Sequence, residues 1–223
     1  MSTLTFLDSD RTVSVGKILC LGRNYAAHAK EMHAESPEAP IVFLKPASAV
    51  IQSGGTVIIP TISNDLHHEV EMVVVIGKRG TSIPIPQAYH HIDGYAVGLD
   101  MTLRDVQAEA KKKGLPWSVA KGFDTSAPVS TIVRREQILD PHNLGISLKV
   151  NGELRQHSNT REMIFRVEYL VSYLSSLFTL EPGDLIFTGT PEGVGRVVPG
   201  DVLEAELESV GMVRVGVDKK TKH

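Results

Sequence analysis

Runs and alternations of apolar residues divide this chain into many short strands and few helices. Val15–Leu21 reads as a strand, Asn24–His33 has helical composition and stops before Pro37, and Ile41–Leu44 is a short buried strand ending at Pro46. Ser53-Gly54-Gly55 turns the chain into a strand at Thr56–Ile59. Glu69–Ile76 and Gly94–Asp100 are further strands, each apolar over most of its length and acidic at one end. Leu103–Lys113 predicts a helix terminated by Gly114. Ser147–Val150, Asn151-Gly152 and Glu153–Gln156 predict a hairpin, because Asn-Gly accepts the positive φ of a type I′ turn. Asn159 and Glu162 have the spacing of a capping box, predicting an amphipathic helix through Phe178. Pro-Gly-Asp at Pro182–Asp184 and again at Pro199–Asp201 predicts two type II turns, each opening a strand. The sum is a β-rich α+β chain rather than a regular strand–helix alternation. The expected layout is an N-terminal extension over 1–14, one domain over 15–217 and a polar tail over 218–223.

Composition narrows the function classes. The 223 residues are 42% hydrophobic and 22% charged, which excludes a disordered chain. A net charge of −3 provides no field for nucleic acid, and Lys111, Lys112 and Lys113 are too short a run to supply one. Cys20 is the only cysteine, so a disulfide framework and a thiolate zinc site are excluded, and its apolar setting makes it a core residue. No segment approaches the ~18 consecutive apolar residues of a membrane span. The opening MSTLTFLDSD has neither a basic region before an apolar run nor the acid-poor character of a transit peptide, so the expectation is a cytoplasmic protein.

Two local patterns carry chemistry. In His67-His68-Glu69-Val70-Glu71-Met72-Val73-Val74-Val75-Ile76, strand geometry puts Glu69 and Glu71 on one face with Cα atoms roughly 6.5 Å apart. Two adjacent buried carboxylates repel and resist desolvation, and a divalent cation would remove that cost. The same spacing also fits two solvated glutamates at an exposed strand end. Asp100, closing an otherwise apolar strand, could add a third oxygen ligand, and three carboxylates suit magnesium or manganese better than zinc. His67 and His68 face opposite ways in a strand and cannot easily join one site. His28 and Glu31, three residues apart on a helix, are surface neighbours. Such a pair can make a general base for water, or can be an ordinary solvated ion pair.

Several further segments stand in order with these: Arg23-Asn24-Tyr25, Phe43-Leu44-Lys45-Pro46, Asp100-Met101-Thr102-Leu103-Arg104-Asp105-Val106-Gln107, Lys111–Trp117, Lys121-Gly122-Phe123-Asp124 and Thr188-Gly189-Thr190-Pro191-Glu192-Gly193-Val194-Gly195. Together they resemble the fumarylacetoacetate hydrolase superfamily from about Val15 to Val217, nearest its small acylpyruvase and oxaloacetate decarboxylase branch. The resemblance implies a mixed β-roll or sandwich core, a magnesium or manganese ion, a homodimer, and a single catalytic domain. It also implies Glu69, Glu71 and Asp100 as metal ligands and His28 with Glu31 as a catalytic dyad on a lid segment. Lys121 would be an active-site lysine, and Arg23, Arg104, Gln107 and Thr190 would contact the substrate.

The implied substrate is a small 2-oxo acid bearing a second carbonyl or carboxylate two carbons on. A metal chelating the 2-oxo and adjacent carboxylate oxygens would accept the electrons released when the next carbon–carbon bond breaks. An acyl fragment leaves by hydrolysis, with His28 and Glu31 activating water; a carboxylate leaves as carbon dioxide without a nucleophile. Two rivals remain. One is isomerase or decarboxylase work on unsaturated 2-oxo diacids, which would need a basic pocket for a distal carboxylate. The other is a metal-dependent binding protein without turnover.

Overall fold

The structure, a computed structural model, describes residues 2–31, 35 and 37–221. Its largest sheet follows the order Ile41–Lys45, Ile18–Gly22, Leu185–Phe187, Val70–Ile76, Ile92–Leu99, Ala127–Val129, Val50–Gln52, with Val133–Arg134 also pairing to Ile92–Leu99. Neighbours are mixed in direction: Leu185–Phe187 is parallel to Ile18–Gly22 and antiparallel to Val70–Ile76. A five-stranded sheet runs Glu153–Asn159, Gly145–Val150, Val202–Leu207, Gly211–Lys219, Thr56–Ile59, and a three-stranded one joins Thr102–Leu103, Leu66–His68 and Gly195–Val197. The longest helix, Val167–Leu177, has only 11 residues. The fold is the β-rich α+β architecture that the sequence pattern predicts.

Val70–Ile76 is buried along its whole length, as its composition requires. Val70, Met72, Val74 and Ile76 join the apolar cluster that includes Ile146, Leu148, Leu203 and Val213 of the five-stranded sheet. Val73 and Val75 face a second cluster with Ile18, Cys20, Ala96 and Phe187. Each such side chain contributes about 1.5–3 kcal/mol when fully buried, and this two-sided core fixes the register that carries Glu71 inward. Opposite Glu71 stands Gly98, where a Cβ would come within 2.8 Å of both Phe187 and Val73. Cys20 is buried in the second cluster, and burial pushes its thiol well above its ordinary pKa, so it is a packing residue.

The Asn151-Gly152 turn has φ of 53° and 81°, the positive pair of a type I′ hairpin. Gly114 closes Arg104–Lys113 in the left-handed region at φ 64°. The capping expectation at Asn159 needs correction. Its side chain does accept from Arg161 N at 2.9 Å, but it opens only a 3₁₀ turn at Thr160–Glu162. The α-helix begins later, at Val167. Asn24 explains the interruption: its side chain accepts from Phe165 N (2.7 Å) and donates to Phe165 O (3.0 Å), while its carbonyl accepts from Ile164 N (2.8 Å). Backbone groups held by a distant buried asparagine cannot also serve a helix. The predicted helix Asn24–His33 is observed as Ala26–Glu31; Met32 and His33, and with them part of the expected lid segment, lie outside the described residues.

Candidate active site

Strand ends assemble the acidic centre. Glu69 sits at the break between Leu66–His68 and Val70–Ile76, Asp100 directly follows Ile92–Leu99, and Asp100 N donates to Glu69 O at 2.8 Å. Glu71 reaches the same point from within its strand. Ligand oxygens of Glu69, Glu71 and Asp100 all lie within 4.8 Å of one another, and all three residues are buried. The exposed-strand alternative is therefore excluded by burial.

Two buried lysines and a half-buried arginine surround these carboxylates. Lys121 Nζ, at the end of the short helix Ser118–Lys121, donates to Glu69 Oε2 (2.8 Å) and Asp100 Oδ2 (2.6 Å). Arg104 donates to Glu69 Oε1 (2.6 Å) and to Gln107 Oε1 (2.8 Å). Lys45 Nζ lies 2.8 Å from Asp100 Oδ1 and donates to Ser126 Oγ at 3.1 Å. Burial alone would raise the Glu69 carboxyl, but Lys121 and Arg104 overcome it and hold Glu69 well below the usual carboxylate range. Glu71 goes the other way: burial first, then the charges of Asp100 and Glu69, push it well up, against only the Gly189 N–H (2.7 Å) and Lys121. Gly189 is needed for that contact. At φ 94° its N–H points to Glu71, and a Cβ would meet the Asn24 Cβ at 2.6 Å.

The residues fit a divalent cation. Asp100 Oδ1 is buried and accepts no hydrogen bond, since Lys45 approaches it as an ion pair without hydrogen-bond geometry. Glu71 is a buried carboxylate repelled by two others. A hard ion with oxygen preference relieves both conditions.

One cavity is lined by eight of the ten residues singled out from the sequence: Arg23, His28, Glu69, Glu71, Arg104, Gln107, Lys121 and Thr190. Asp100 is fully buried and does not line it, but its ligand oxygen lies within 4.8 Å of those of Glu69 and Glu71, and Glu31 pairs with His28, its Oε2 3.1 Å from His28 Nδ1. Glu31 Oε1 also accepts from Gly193 N (3.0 Å), tying the helix to the Gly-Thr-Pro loop. His67 and His68 stay out of the acidic centre, as expected: His67 pairs with Asp65 (3.1 Å) and His68 with Gln156 (3.0 Å).

Three residues here were given no role from the sequence, although Lys45 and Lys111 stand in segments that carry the resemblance. Lys45 ends the apolar run Ile41–Lys45, and a lysine there with Pro46 after it signals a buried charge in need of a partner. Lys111 lines the cavity while staying exposed, and in the sequence nothing singles it out within its run of three lysines. Gln156 gave no signal, because its role is spatial. Its Oε1 accepts from Val70 N (3.0 Å) and from His68 Nδ1 (3.0 Å), and its Nε2 donates to Thr190 Oγ1 (2.8 Å) and Pro191 O (2.9 Å). With that lone pair filled, the Thr190 hydroxyl proton is directed to another acceptor. Gln156→Leu strands several buried groups, so urea unfolding should show a loss of about 1–3 kcal/mol; unchanged stability would show the network to be dispensable.

The fold and the buried acidic centre together define a class. The sequence profile of the Fumarylacetoacetate (FAA) hydrolase C-terminal family matches residues 17–218, and the chain belongs to that family. Among individual relatives, it is 52% identical to the mitochondrial oxaloacetate tautomerase of Mus musculus, over 91% of each chain. Its structure superposes on a fumarylpyruvate hydrolase from Pseudomonas aeruginosa in complex with Mn2+ and pyruvate with a TM-score of 0.93 and 44% identity, covering 98% of this chain and 96% of that one. A 2-hydroxyhepta-2,4-diene-1,7-dioate isomerase from Mycobacterium marinum is more distant, at a TM-score of 0.83 and 35% identity over 94% and 77%. No helix among the described residues is long and apolar enough to cross a membrane.

Proposed function

We propose that this chain is a divalent-metal-dependent enzyme that breaks the carbon–carbon bond beyond C3 of small 2-oxo acids and releases pyruvate, by acylpyruvate hydrolysis, oxaloacetate decarboxylation or both. The observation that carries the reading is the convergence of three buried carboxylates, Lys121 and the His28–Glu31 pair on one cavity. The fumarylpyruvate hydrolase relative with Mn2+ and pyruvate supports it. Glu69, Glu71 and Asp100 would hold Mg2+ or Mn2+, which when bound supplies Lewis-acid polarisation of the 2-oxo group.

The remaining work falls to side chains. Thr190 and Gln107 orient the substrate carboxylate, and Arg104, fixed by Glu69, adds positive charge beside it. Lys121 stabilises negative charge arising on the reacting pyruvate unit; it is placed for electrostatics, with its ammonium engaged by two carboxylates. Phe43 and Trp117 wall the cavity and limit water entry. Glu31 accepts a hydrogen bond from His28 Nδ1–H, which leaves Nε2 free to take a proton from water. A second reading, keto–enol tautomerisation of oxaloacetate, is supported by the name of the 52%-identical mouse relative. It needs only that a base move a C3 proton instead of a carbon–carbon bond breaking. Isomerisation of unsaturated diacids is less favoured, since the relative with that name is only 35% identical. We place the enzyme in the cytoplasm, and we take it to be a homodimer, a mass that sedimentation of the purified protein tests.

The deciding assay is pyruvate release by metal-stripped protein on acetylpyruvate and oxaloacetate, with magnesium then restored and magnesium alone as control. Turnover should return with the metal and be lost in Glu69→Ala. No release from either substrate by the reloaded wild type would end this reading.

A further inference from the structure

Lys121 and Arg104 line the cavity, whereas Lys45 does not. Its side chain is fully covered, so its ammonium must place three N–H donors and balance one charge inside the protein. The donors go to Met101 O (3.3 Å), to Ser126 Oγ (3.1 Å) and to the carbonyl of Lys121. The charge faces Asp100 Oδ1 at 2.8 Å, which accepts none of the three hydrogens. Lys45 thus balances Asp100 while leaving the lone pairs of Oδ1 free. The Lys121 carbonyl closes Ser118–Lys121, a single helical turn, where no further turn supplies it a donor. Ser126 Oγ donates to it as well, at 2.9 Å, so two side chains hold one carbonyl. Phe43, two residues before Lys45 on the strand Ile41–Lys45, has its ring centre 4.9 Å from Lys121 Nζ. Pro46 follows that strand, and Gly122 lets it approach: a Cβ there would come within 3.1 Å of Pro46 Cδ and 2.8 Å of Ser118 O. One short strand therefore grips Lys121 at its backbone and flanks its ammonium.

We propose that Lys45 and Ser126 are a positioning pair for Lys121: by fixing its carbonyl they set where its ammonium meets the reacting pyruvate unit. The inference rests on the functional reading above and adds to it two residues that line no part of the cavity. A lysine side chain is long and flexible, and an ammonium that must stabilise charge at one place acts best when its freedom has been removed beforehand. Glu69 and Asp100 hold the tip of Lys121, but both would also be metal ligands. The carbonyl anchor is the one that occupies no carboxylate oxygen. The competing role for Lys45 is that of a counter-ion to Asp100 and nothing more, which would act on the acidic centre and its cation without passing through Lys121.

Oxalate, a non-reacting dianion with the shape and charge of a pyruvate enolate, reads the position of Lys121 without turnover. Calorimetric titration of the magnesium-loaded protein with oxalate should show binding weakened about 10–100-fold in Lys121→Met, in line with loss of a hydrogen bond to a charged group. Lys45→Met should lose a comparable factor. Ser126→Ala removes no charge, keeps the comparison available if Lys45→Met does not fold, and should lose about threefold or more. Most of either loss should vanish when Lys121→Met is already present, because residues that act through one group are not additive. Magnesium alone should bind Ser126→Ala with wild-type affinity. Oxalate binding at full strength in Ser126→Ala, or a loss that persists undiminished beside Lys121→Met, overturns the positioning role and leaves the parent reading intact. Weakened magnesium binding in Ser126→Ala also overturns it, by assigning the pair to the acidic centre. Failure of the magnesium-loaded wild type to bind oxalate overturns both.

Discussion

In metal-free protein, Asp100→Ala will unfold at markedly lower urea concentration than wild type, by roughly 3–5 kcal/mol, while Glu71→Gln will be as stable as wild type or more so. The two residues belong to one acidic cluster, yet their electrostatic positions are opposite. Asp100 is fully buried between two ammonium groups, Lys45 at 2.8 Å and Lys121 at 2.6 Å. Removing it leaves those charges buried without their counter-ion, the most costly way to break a buried pair. Glu71 has no cation within ion-pair distance among the described residues and is repelled by Asp100 and Glu69. Its amide isostere keeps the shape and removes the repulsion. Magnesium reverses the ranking: wild type gains stability by mass action, about 2.7 kcal/mol at a concentration 100 times Kd, and neither variant follows. Urea unfolding of the three proteins with and without magnesium checks all of this. Equal destabilisation by both substitutions in metal-free protein would mean that the cluster is not organised around an absent positive charge.

Local patterns in the sequence carried those parts of the site that local geometry decides. Glu69 and Glu71 could be placed together because period-two alternation is enforced by apolar packing on both sides of Val70–Ile76. His28 and Glu31 could be paired because helix geometry sets their spacing. The type I′ turn at Asn151-Gly152 and the helix stop at Gly114 were legible because each depends on the φ of one or two residues. What escaped depends on partners far along the chain. Lys45 meets Asp100 across 55 positions of sequence, and Gln156 reaches Val70 across 86. The helix expected from Asn159 failed for the same reason: Asn24, 141 residues away, holds the backbone of Phe165. Lys111 was given no role because nothing in a lysine triplet singles out one member, and only the fold reveals that this one lines the cavity beside Trp117.

His28→Ala should lower acetylpyruvate hydrolysis by a factor of about 10²–10⁴, the usual worth of a positioned general base, and leave oxaloacetate decarboxylation within severalfold of wild type. The separation follows from where the proton is needed. Hydrolysis requires water to attack the acyl carbonyl, and an imidazole whose Nδ1 is engaged by Glu31 at 3.1 Å keeps the basic Nε2 available for that proton. Carbon dioxide departs without a nucleophile, so the same imidazole contributes nothing to that bond cleavage. His28 is buried and lines the cavity, but it is not among the carboxylates that would hold the metal, so its removal leaves that centre complete. Glu31→Gln should fall between: its one carbonyl oxygen can keep the Nδ1 hydrogen bond only by giving up the Gly193 N–H, and the charge that stabilises the imidazolium is lost. Parallel assays of pyruvate release from both substrates, with magnesium saturating, give the two ratios directly. Equal loss of both activities in His28→Ala would assign the histidine to binding or to cavity structure instead of to water. If both cleavages survive but enol–keto exchange of oxaloacetate, followed by ultraviolet absorbance, is lost, the base acts on the C3 proton and the tautomerase reading takes precedence over hydrolysis.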